Sequence, residues 1–235
     1  MAIPDQERDV MLAPVARARQ LGRAMYDGLY CRHVAGKERL GGDDHWHVCL
    51  SALTPQSTVV SAGVGTGISF ELALARRVGC RIQLLDPTPT ALRTMGLAEN
   101  RHPLVDFRPV GLAGAAELRS FAPPHDEAEG SFFVDQGQAT EVNWLPCEDL
   151  ATIMRDSGYQ SIDLLKMDIE GSEYEVVEQI VGAGLPVRQL CVEFHPWLSP
   201  RTADRTRQSQ RDLRRAGYRL VHRERNDHTF LRNTD

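Results

Sequence analysis

A glycine-rich turn between an apolar run and an amphipathic segment constrains the fold of this chain more than any other feature. The run Thr58–Val60 is β-branched and apolar, which is typical of a buried strand. Three glycines then stand at alternate positions: Gly63, Gly65 and Gly67. Residues 68–78 follow with the apolar spacing of a helix. This order predicts the first βα unit of a doubly wound α/β sheet, whose helix N-terminus suits a ligand carboxylate or phosphate.

An acid at the end of the next predicted strand strengthens this interpretation. The segment Cys80–Asp86 has the pattern of a strand that ends in a carboxylate and is followed by Pro87-Thr88-Pro89. Because the intervening helix returns the chain to the same edge of the sheet, Asp86 can accept hydrogen bonds from both hydroxyls of a ribose. The structural alternative is an aspartate that only forms a turn before the proline.

The spacing of the glycines favours one class of nucleoside cofactor over another. Dinucleotide-binding turns have the pattern G-x-G-x-x-G, whereas this chain has G-x-G-x-G and places Ile68 at the third glycine site. This departure favours S-adenosylmethionine as the cofactor. Its predicted contacts lie in the glycine turn and at the ends of later strands: Ser61, Gly63, Gly65, Thr66, Gly67, Ser69, Asp86, Pro87, Thr88, Gly111, Leu112 and Asp168.

A second polar cluster is predicted at the ends of the strands Ile162–Ile169 and Val187–Phe194. Its members are the candidate catalytic residues: Asp168, Glu170, Glu193 and His195. The hypothesis is that His195 or one of the carboxylates takes a proton from a hydroxyl group of a second substrate, the acceptor. Two alternatives stay open. Asp168, Glu170 and Glu193 could hold a divalent cation such as Mg²⁺, or the acids could cap the next helix while His195 pairs with Glu193.

The pattern of apolar residues and turn signals predicts two regions. Residues 1–50 form a helical N-terminal extension or lid, with a helix over Val10–Tyr30, and residues 51–235 form the domain that binds S-adenosylmethionine. An extension of this kind often contributes to the substrate pocket. Aromatic side chains and a histidine are the predicted substrate contacts: Tyr26, Tyr30, His45, Trp46 and Trp197.

Alternating helices and strands are predicted along the rest of the chain. Residues 113–139 have no regular pattern, and the acidic loop Pro123–Gly130 lies within them. The predicted helices cover Thr90–Glu99, Cys147–Ser157, Tyr174–Val181 and Thr202–Ala216. The predicted strands cover Val105–Leu112, Thr140–Leu145, and a closing pair at residues 217–222 and 229–231.

The amino-acid composition limits the classes of binding partner that the chain can have. The chain has 235 residues and a net charge of −5, so no overall positive field favours nucleic acid. Its five cysteines are scattered, without a C-x-x-C pair, which predicts reduced thiols and a cytoplasmic location. The sequence has no apolar run long enough to cross a membrane. The expected partner is a small-molecule or oligosaccharide acceptor, and a homodimer is left open.

The residues that form both clusters resemble the FkbM family of S-adenosylmethionine-dependent methyltransferases. The resemblance extends over roughly residues 40–232. The matching segments are Ser61–Glu71, Leu85–Pro89, Asp163–Glu173 and Val192–His195. The D-L-L-K-M-D-I-E-G-S-E segment is the most specific of them, because glycine turns occur in many families.

The resemblance implies a class I methyltransferase fold, with a mostly parallel seven-stranded sheet and a C-terminal antiparallel hairpin. It implies cofactor contacts at Gly63, Gly65 and Asp86, and an active-site floor at Asp168–Glu173. It also implies O-methylation, and we expect a hydroxyl of a saccharide or glycosylated metabolite as the acceptor. The alternatives are a polyketide or other small-molecule hydroxyl, a nicotinamide-dependent oxidoreductase, and a donor-binding module without catalysis.

Overall fold

The computed structural model describes residues 31–124, 131–135, 137, 139, 141–199 and 201–233. In chain order the strands are β1 (Lys37–Leu40), β2 (Trp46–Cys49), β3 (Val59–Ala62), β4 (Ile82–Leu85), β5 (Val105–Arg108), β6 (Gly111–Ala113), β7 (Glu117–Ala122), β8 (Phe133–Val134), β9 (Asn143–Asp149), β10 (Ile162–Met167), β11 (Val187–Glu193), β12 (Tyr218–Glu224) and β13 (Asp227–Arg232). The α-helices are α1 (Ser69–Val78), α2 (Pro89–Gly96), α3 (Leu150–Ser157), α4 (Glu173–Gly182) and α5 (Thr202–Arg215). Short 3₁₀ turns cover Leu50–Ala52 and Ala98–Asn100.

A seven-stranded sheet forms the centre of the molecule, in the order β12-β13-β11-β10-β3-β4-β5. Neighbours from β11 to β5 are parallel, whereas β13 is antiparallel to both β11 and β12. Its strands alternate with helices along the chain, as right-handed crossovers between parallel strands require. The predicted doubly wound, mostly parallel seven-stranded sheet with a C-terminal antiparallel hairpin is therefore confirmed.

Apolar side chains cover both faces of this sheet, as a parallel sheet requires. One face packs against α3, α4 and α5, with Tyr174 and Ile153 fully buried. The other packs against α1 and the β1–β2 hairpin, where Phe70, Leu74 and Trp46 are buried. Polar residues are consequently confined to the strand ends and to a few paired positions inside.

The helix boundaries follow from capping residues. Thr88 accepts a hydrogen bond from the Ala91 N–H group at the start of α2, directly before Pro89. Asp149 does the same for Thr152 in α3, so the helix predicted from Cys147 begins three residues later, at Leu150. Cys147 itself belongs to β9.

A separate four-stranded sheet, in the order β6-β9-β7-β8, corrects the prediction for residues 105–145. The predicted strand Val105–Leu112 is two strands, because Pro109 has no N–H group to continue the ladder. After this break β6 pairs with β9 instead of β4. The stretch predicted to be irregular contains β7 and β8, and the predicted strand Thr140–Leu145 is β9, shifted toward the C-terminus.

The N-terminal region is described only from residue 31, where it forms the β1–β2 hairpin. The predicted helix Val10–Tyr30 and most of the acidic loop Pro123–Gly130 lie outside the described residues. All five cysteines are free thiols, and all but Cys31 are buried. No helix within the described ranges is long and apolar enough to cross a membrane.

Candidate cofactor and active site

A cavity of about 450 Å³ opens at the carboxyl ends of β3, β4, β10 and β11. Ligands of open α/β sheets bind at this edge. The predicted cofactor residues that line it are Gly63, Gly65, Thr66, Gly67, Asp86, Pro87, Thr88, Gly111, Leu112 and Asp168. Of the second predicted cluster, Asp168, Glu170 and Glu193 line the same cavity, whereas His195 is buried behind them.

The glycine turn has a backbone that other residues rarely adopt. Gly63 has φ of +90° and Gly65 has φ of +55°. A Cβ atom at Gly63 would lie 1.8 Å from the carbonyl oxygen of Asp168, whereas a Cβ at Gly65 would meet no atom within 4 Å. Gly63 is thus required by the neighbouring strand β10, and Gly65 keeps the backbone accessible from the cavity.

Asp86 has the turn-forming role that its sequence position allows. Its carboxylate accepts hydrogen bonds from the N–H groups of Val64 at 2.8 Å and Gly65 at 3.3 Å, which fixes the glycine turn. It also accepts a bond of 2.8 Å from the Thr88 N–H group, the turn role considered as the alternative. Because each carboxylate oxygen can accept more than one bond, Asp86 can still receive ribose hydroxyls from the cavity that it lines.

The N-terminus of α1 is occupied by a residue that sequence reasoning missed. Asp44, from the β1–β2 turn, accepts hydrogen bonds from the N–H group and the hydroxyl of Ser69. The Ser69 hydroxyl accepts in turn from the Gly42 N–H group at 2.6 Å. Ser69, which was predicted to contact the cofactor, therefore binds a carboxylate of the chain itself. Ser69 does not line the cavity.

Two buried ionisable residues under the glycine turn, Glu71 and Lys166, were also missed. The Ser61 hydroxyl donates to Glu71 at 2.5 Å, which places Ser61 behind the cavity wall. Lys166 donates to the Gly63 carbonyl oxygen at 2.7 Å and lies 5.5 Å from the centre of the Trp46 ring. Burial raises the pKa of Glu71, and the charge of Lys166 opposes that rise. The sequence feature that could have revealed these residues was a lysine inside a largely apolar strand, at a position to which the motif assigned no role.

Three carboxylates crowd the part of the cavity next to β11 and β13. Burial and the neighbouring charge of Asp168 raise the pKa of Glu193 to about 8. Burial and the same neighbour raise the pKa of Asp227 to about 6. Sequence reasoning treated Asp227 only as a turn residue, yet the register of the two strands pairs it with Glu193. Glu193 is therefore a carboxyl group that exchanges a proton near neutral pH.

His195 is buried between two carboxylates. Its Nδ1 lies 3.2 Å from Glu173 and its Nε2 lies 3.0 Å from Glu170. Burial alone would lower the pKa of His195, but these two carboxylates raise it to about 11. This arrangement favours a ring with protons on both nitrogens, which makes His195 a weaker candidate for the base than the carboxylates that line the cavity.

The segment between β10 and α4 positions this histidine. Glu170 has φ of +49° and Gly171 has φ of +113°, so the chain turns sharply there. Glu173, fully buried, accepts hydrogen bonds from the Gly171 N–H group at 2.7 Å and the His195 N–H group at 3.0 Å. Glu173 therefore organises the predicted active-site floor, a role that sequence reasoning did not assign to it.

The predicted divalent-cation site does not assemble as proposed. Glu170 is directed to His195, and the side chains whose ligand atoms converge within 4.8 Å are Asp168, Glu193 and His195. A protonated imidazole cannot bind a metal, which leaves two carboxylates. These residues fit a resident Mg²⁺ ion poorly.

The predicted substrate contacts divide into three groups. His45 and Trp46 line the cavity, and Phe121 and Phe132 of the small sheet face them as contacts that were not predicted. Trp197 is 56% exposed and lies against the edge of the His195 ring, outside the cavity wall. Tyr26 and Tyr30 lie outside the described residues.

A family model for the methyltransferase FkbM domain matches residues 52–220, which is well over half of the chain. This chain belongs to the FkbM methyltransferase family. The strand order of its central sheet, with one antiparallel strand next to the last, is that of the class I methyltransferases. No curated protein sequence matches this FkbM methyltransferase.

Solved structures similar to this FkbM methyltransferase include two archaeal fibrillarins. The Methanococcus jannaschii pre-rRNA processing protein has 10% identity and a TM-score of 0.42, with 87% of this chain and 86% of that chain covered. The Aeropyrum pernix protein, with natively bound S-adenosyl-L-methionine, has 9% identity and a TM-score of 0.41, covering 85% and 83%. The N-terminal domain of human METTL16 with SAH has 13% identity and a TM-score of 0.40; the FkbM chain is 77% covered and spans 62% of that domain.

The cavity of this FkbM methyltransferase has the features that S-adenosylmethionine needs. The open backbone at Gly65 and Thr66 leaves room for the methionine part, and Asp86 is within reach of a ribose. Gly111 and Leu112 offer a small and an apolar surface to a flat adenine ring. Asp168 and Glu193 line the acidic end of the same cavity.

Proposed function

We propose that this chain is an O-methyltransferase that transfers a methyl group to a hydroxyl of a saccharide or glycosylated metabolite. The single observation that carries the proposal is the position of Glu193, which lines the cavity at its acidic end beside Asp168 and Asp227. Burial and the neighbouring charge of Asp168 raise its pKa to about 8. A general base is most effective when its pKa lies near the working pH. The proposed donor is S-adenosylmethionine, which supplies a methyl group on a positively charged sulfur.

The donor end of the cavity is the glycine-turn end. Asp86 and the backbone of Gly65 would bind the nucleoside there, and Lys166 holds the Gly63 carbonyl oxygen in place. None of these groups takes part in proton transfer. Their contribution is to fix the donor relative to the acceptor, and such positioning accounts for much of the rate increase in a displacement reaction.

The acceptor end contains the proton acceptor. In the proposed step the C–S bond of the donor breaks, the hydroxyl oxygen forms the new C–O bond, and its proton passes to the Glu193 carboxylate. His195 remains protonated throughout, between Glu170 and Glu173, and its positive charge stabilises the ionised acids beside it. Asp168 keeps the pKa of Glu193 high, which makes the carboxylate a stronger base than an exposed glutamate.

A saccharide acceptor is supported by the polarity of this end. Carboxylates of Asp168, Glu193 and Asp227 can accept hydrogen bonds from neighbouring hydroxyls of one sugar ring. Trp46 and Phe121 add apolar surface of the kind on which sugar rings pack. A polyketide hydroxyl would use the same base, so the acceptor panel of the experiment includes it.

The test is methyl transfer from labelled S-adenosylmethionine to a panel of acceptors. The panel contains mono- and oligosaccharides, glycosylated metabolites, polyketide alcohols and amines, and is used with wild type, Glu193→Gln and Glu178→Gln. Glu178 is an exposed acid on α4 paired with Arg205, and serves as the matched control. We expect transfer to sugar hydroxyls, a loss of about 100-fold or more in Glu193→Gln, and no loss in the control.

Calorimetry with S-adenosylhomocysteine accompanies the assay. Affinity for this product should stay within about threefold in Glu193→Gln, because the residue lies at the acceptor end. Transfer only to amines, transfer only to polyketide alcohols, binding without any transfer, or preferential binding of a nicotinamide dinucleotide would each contradict the proposal.

A further inference from the structure

A cluster of imidazole rings lies at the rim of the cavity, outside the active-site floor. His45 directly precedes β2 and His47 lies within it, while His222 and Glu224 lie on β12. The two hairpins that carry them are far apart in sequence, with 179 positions between His45 and Glu224. We propose that His45, His47 and Glu224 bind a divalent transition-metal ion of the zinc type.

The ligand atoms already converge. His45 Nε2 lies 3.3 Å and His47 Nδ1 lies 3.8 Å from the same oxygen, Glu224 Oε2. All three ligand atoms lie within 4.8 Å of one another. Two atoms bound tetrahedrally at about 2.0 Å from a zinc ion are about 3.3 Å apart, so small side-chain shifts would complete the site.

A further observation points to a ligand that is not part of the chain. His222 Nε2 lies 3.9 Å from Glu224 Oε2 and, among the described residues, has no hydrogen-bond partner. A buried polar nitrogen without a partner is costly, and a metal or its bound water would satisfy this one. Its position beside Glu224 makes His222 the candidate for a fourth ligand.

The type of metal follows from the donor set. Two imidazoles and one carboxylate are the ligands of many zinc sites, whereas magnesium prefers oxygen ligands alone. The ammonium group of Lys37 is nearby, but it is bonded to the Val221 carbonyl oxygen at 2.9 Å.

This site is separate from the proposed catalytic cluster and has a different consequence. A metal held by both hairpins would bind the N-terminal hairpin to the C-terminal one across the cavity entrance, where His45 and Glu224 form part of the lining. A ligand that binds only the folded chain raises its stability. The bound metal would thus stabilise the rim without taking part in proton transfer.

The experiment measures zinc binding by the untagged full chain after chelator treatment, with zinc and magnesium chloride as the only probes. Isothermal calorimetry is run on wild type, His47→Ala, Glu224→Gln, Glu193→Gln and His33→Ala. His33 is an exposed histidine close to the same hairpin and outside the cluster. Circular dichroism checks that each variant folds. Glu224→Gln preserves the size of the side chain, so it still tests the proposal if His47→Ala does not fold.

We expect one zinc ion per chain and no magnesium binding. Zinc affinity should fall by about tenfold or more in His47→Ala and in Glu224→Gln, and should stay unchanged in Glu193→Gln and His33→Ala. Zinc should also raise the melting temperature of wild type but not that of Glu224→Gln. Absence of zinc binding in wild type, equal affinity in all variants, or a loss confined to Glu193→Gln would overturn the proposal. These outcomes do not depend on methyl transfer.

Discussion

The carbonyl oxygen of Asp168 occupies the space that a side chain at Gly63 would need. A Cβ atom there would be 1.8 Å from that oxygen, and Gly63 also has φ of +90°. The two residues directly follow the adjacent parallel strands β3 and β10, and the Asp168 N–H group donates to the Ala62 carbonyl oxygen at 3.0 Å. The glycine turn and the acidic floor are thereby held at a fixed separation by backbone alone.

Gly63→Ala should consequently destabilise the whole domain. The clash is with backbone that cannot rotate away, so we expect a loss of at least about 3 kcal/mol in the free energy of unfolding. Urea denaturation followed by circular dichroism measures it. Gly65→Ala is the matched comparison, because its Cβ would meet no atom within 4 Å.

Gly65→Ala should cost only about 1–2 kcal/mol, from the left-handed backbone at φ of +55°. Its main effect should be weaker binding of S-adenosylhomocysteine, since the added methyl group enters the cavity that Gly65 lines. Equal destabilisation by both alanines would show that steric contact with Asp168 is not the reason for Gly63.

The rate of methyl transfer should rise with pH through a midpoint near 8. Burial, and then the charge of Asp168, raise the pKa of Glu193 to about 8. A base acts only when deprotonated, so the rate is low below this pH and reaches a plateau above it. Single-turnover rates between pH 6 and 10 measure the profile, with donor at saturation.

The variant Asp168→Asn tests the cause of that midpoint. Removing the neighbouring negative charge should lower the pKa of Glu193, so the midpoint should move to a lower pH by about one unit, whatever happens to the maximal rate. A midpoint that stays at the same pH, or a profile that is flat in wild type, would argue against Glu193 as the base.

Asp86→Asn should weaken cofactor binding and loosen the glycine turn together. The amide retains one oxygen, which cannot serve Val64, Gly65 and a ribose as well as a carboxylate does. We expect affinity for S-adenosylhomocysteine to fall by about tenfold or more in calorimetry. Asp106→Asn, at an exposed position on the next strand, is the control and should bind normally.

His195 should remain protonated well above neutral pH. Burial opposes protonation, but Glu170 and Glu173 raise the pKa of the ring to about 11. Nitrogen-15 shifts of the imidazole, followed by NMR from pH 6 to 9, should report two protonated nitrogens throughout. A neutral ring at pH 8 would contradict this and would return His195 to the list of possible bases.

The raised pKa of His195 also makes the stability of the folded chain depend on pH. Because the pKa in the folded state lies above the ordinary value of 6.5, the stabilisation is complete below about pH 6.5. It is lost as the pH rises toward 11. Wild type should therefore lose stability between pH 7 and 10 more steeply than a double variant, His195→Asn with Glu173→Gln, in which the buried pair is absent.

The sequence was sufficient for the sheet and for the edge at which the cavity opens. Strand, glycine turn and helix recur with the spacing of a βα unit, so Gly65 and Asp86 could be assigned to one edge before any coordinates. Asp86 forms the turn that was considered as the alternative to a ribose contact. The ribose contact itself stays a prediction.

Contacts between distant parts of the chain could not be predicted. Asp227 reaches Glu193 because β13 inserts between β11 and β12, and a hairpin pattern alone does not reveal that insertion. Asp44, in the β1–β2 turn, accepts a hydrogen bond from Ser69 at the start of α1, and sequence spacing does not reveal that contact either. The protonation of His195 depends on where Glu170 and Glu173 point, which is set by a backbone with positive φ and not by sequence spacing.

The last strand of the central sheet has a practical consequence for anyone who trims this protein. The family-matched segment ends at residue 220, inside β12, and β13 follows only at Asp227–Arg232. A fragment cut at that boundary would remove the strand inserted beside β11 and expose a long row of unpaired N–H and C=O groups, which invites aggregation. Expression boundaries should follow the hydrogen-bonded sheet and extend beyond Arg232.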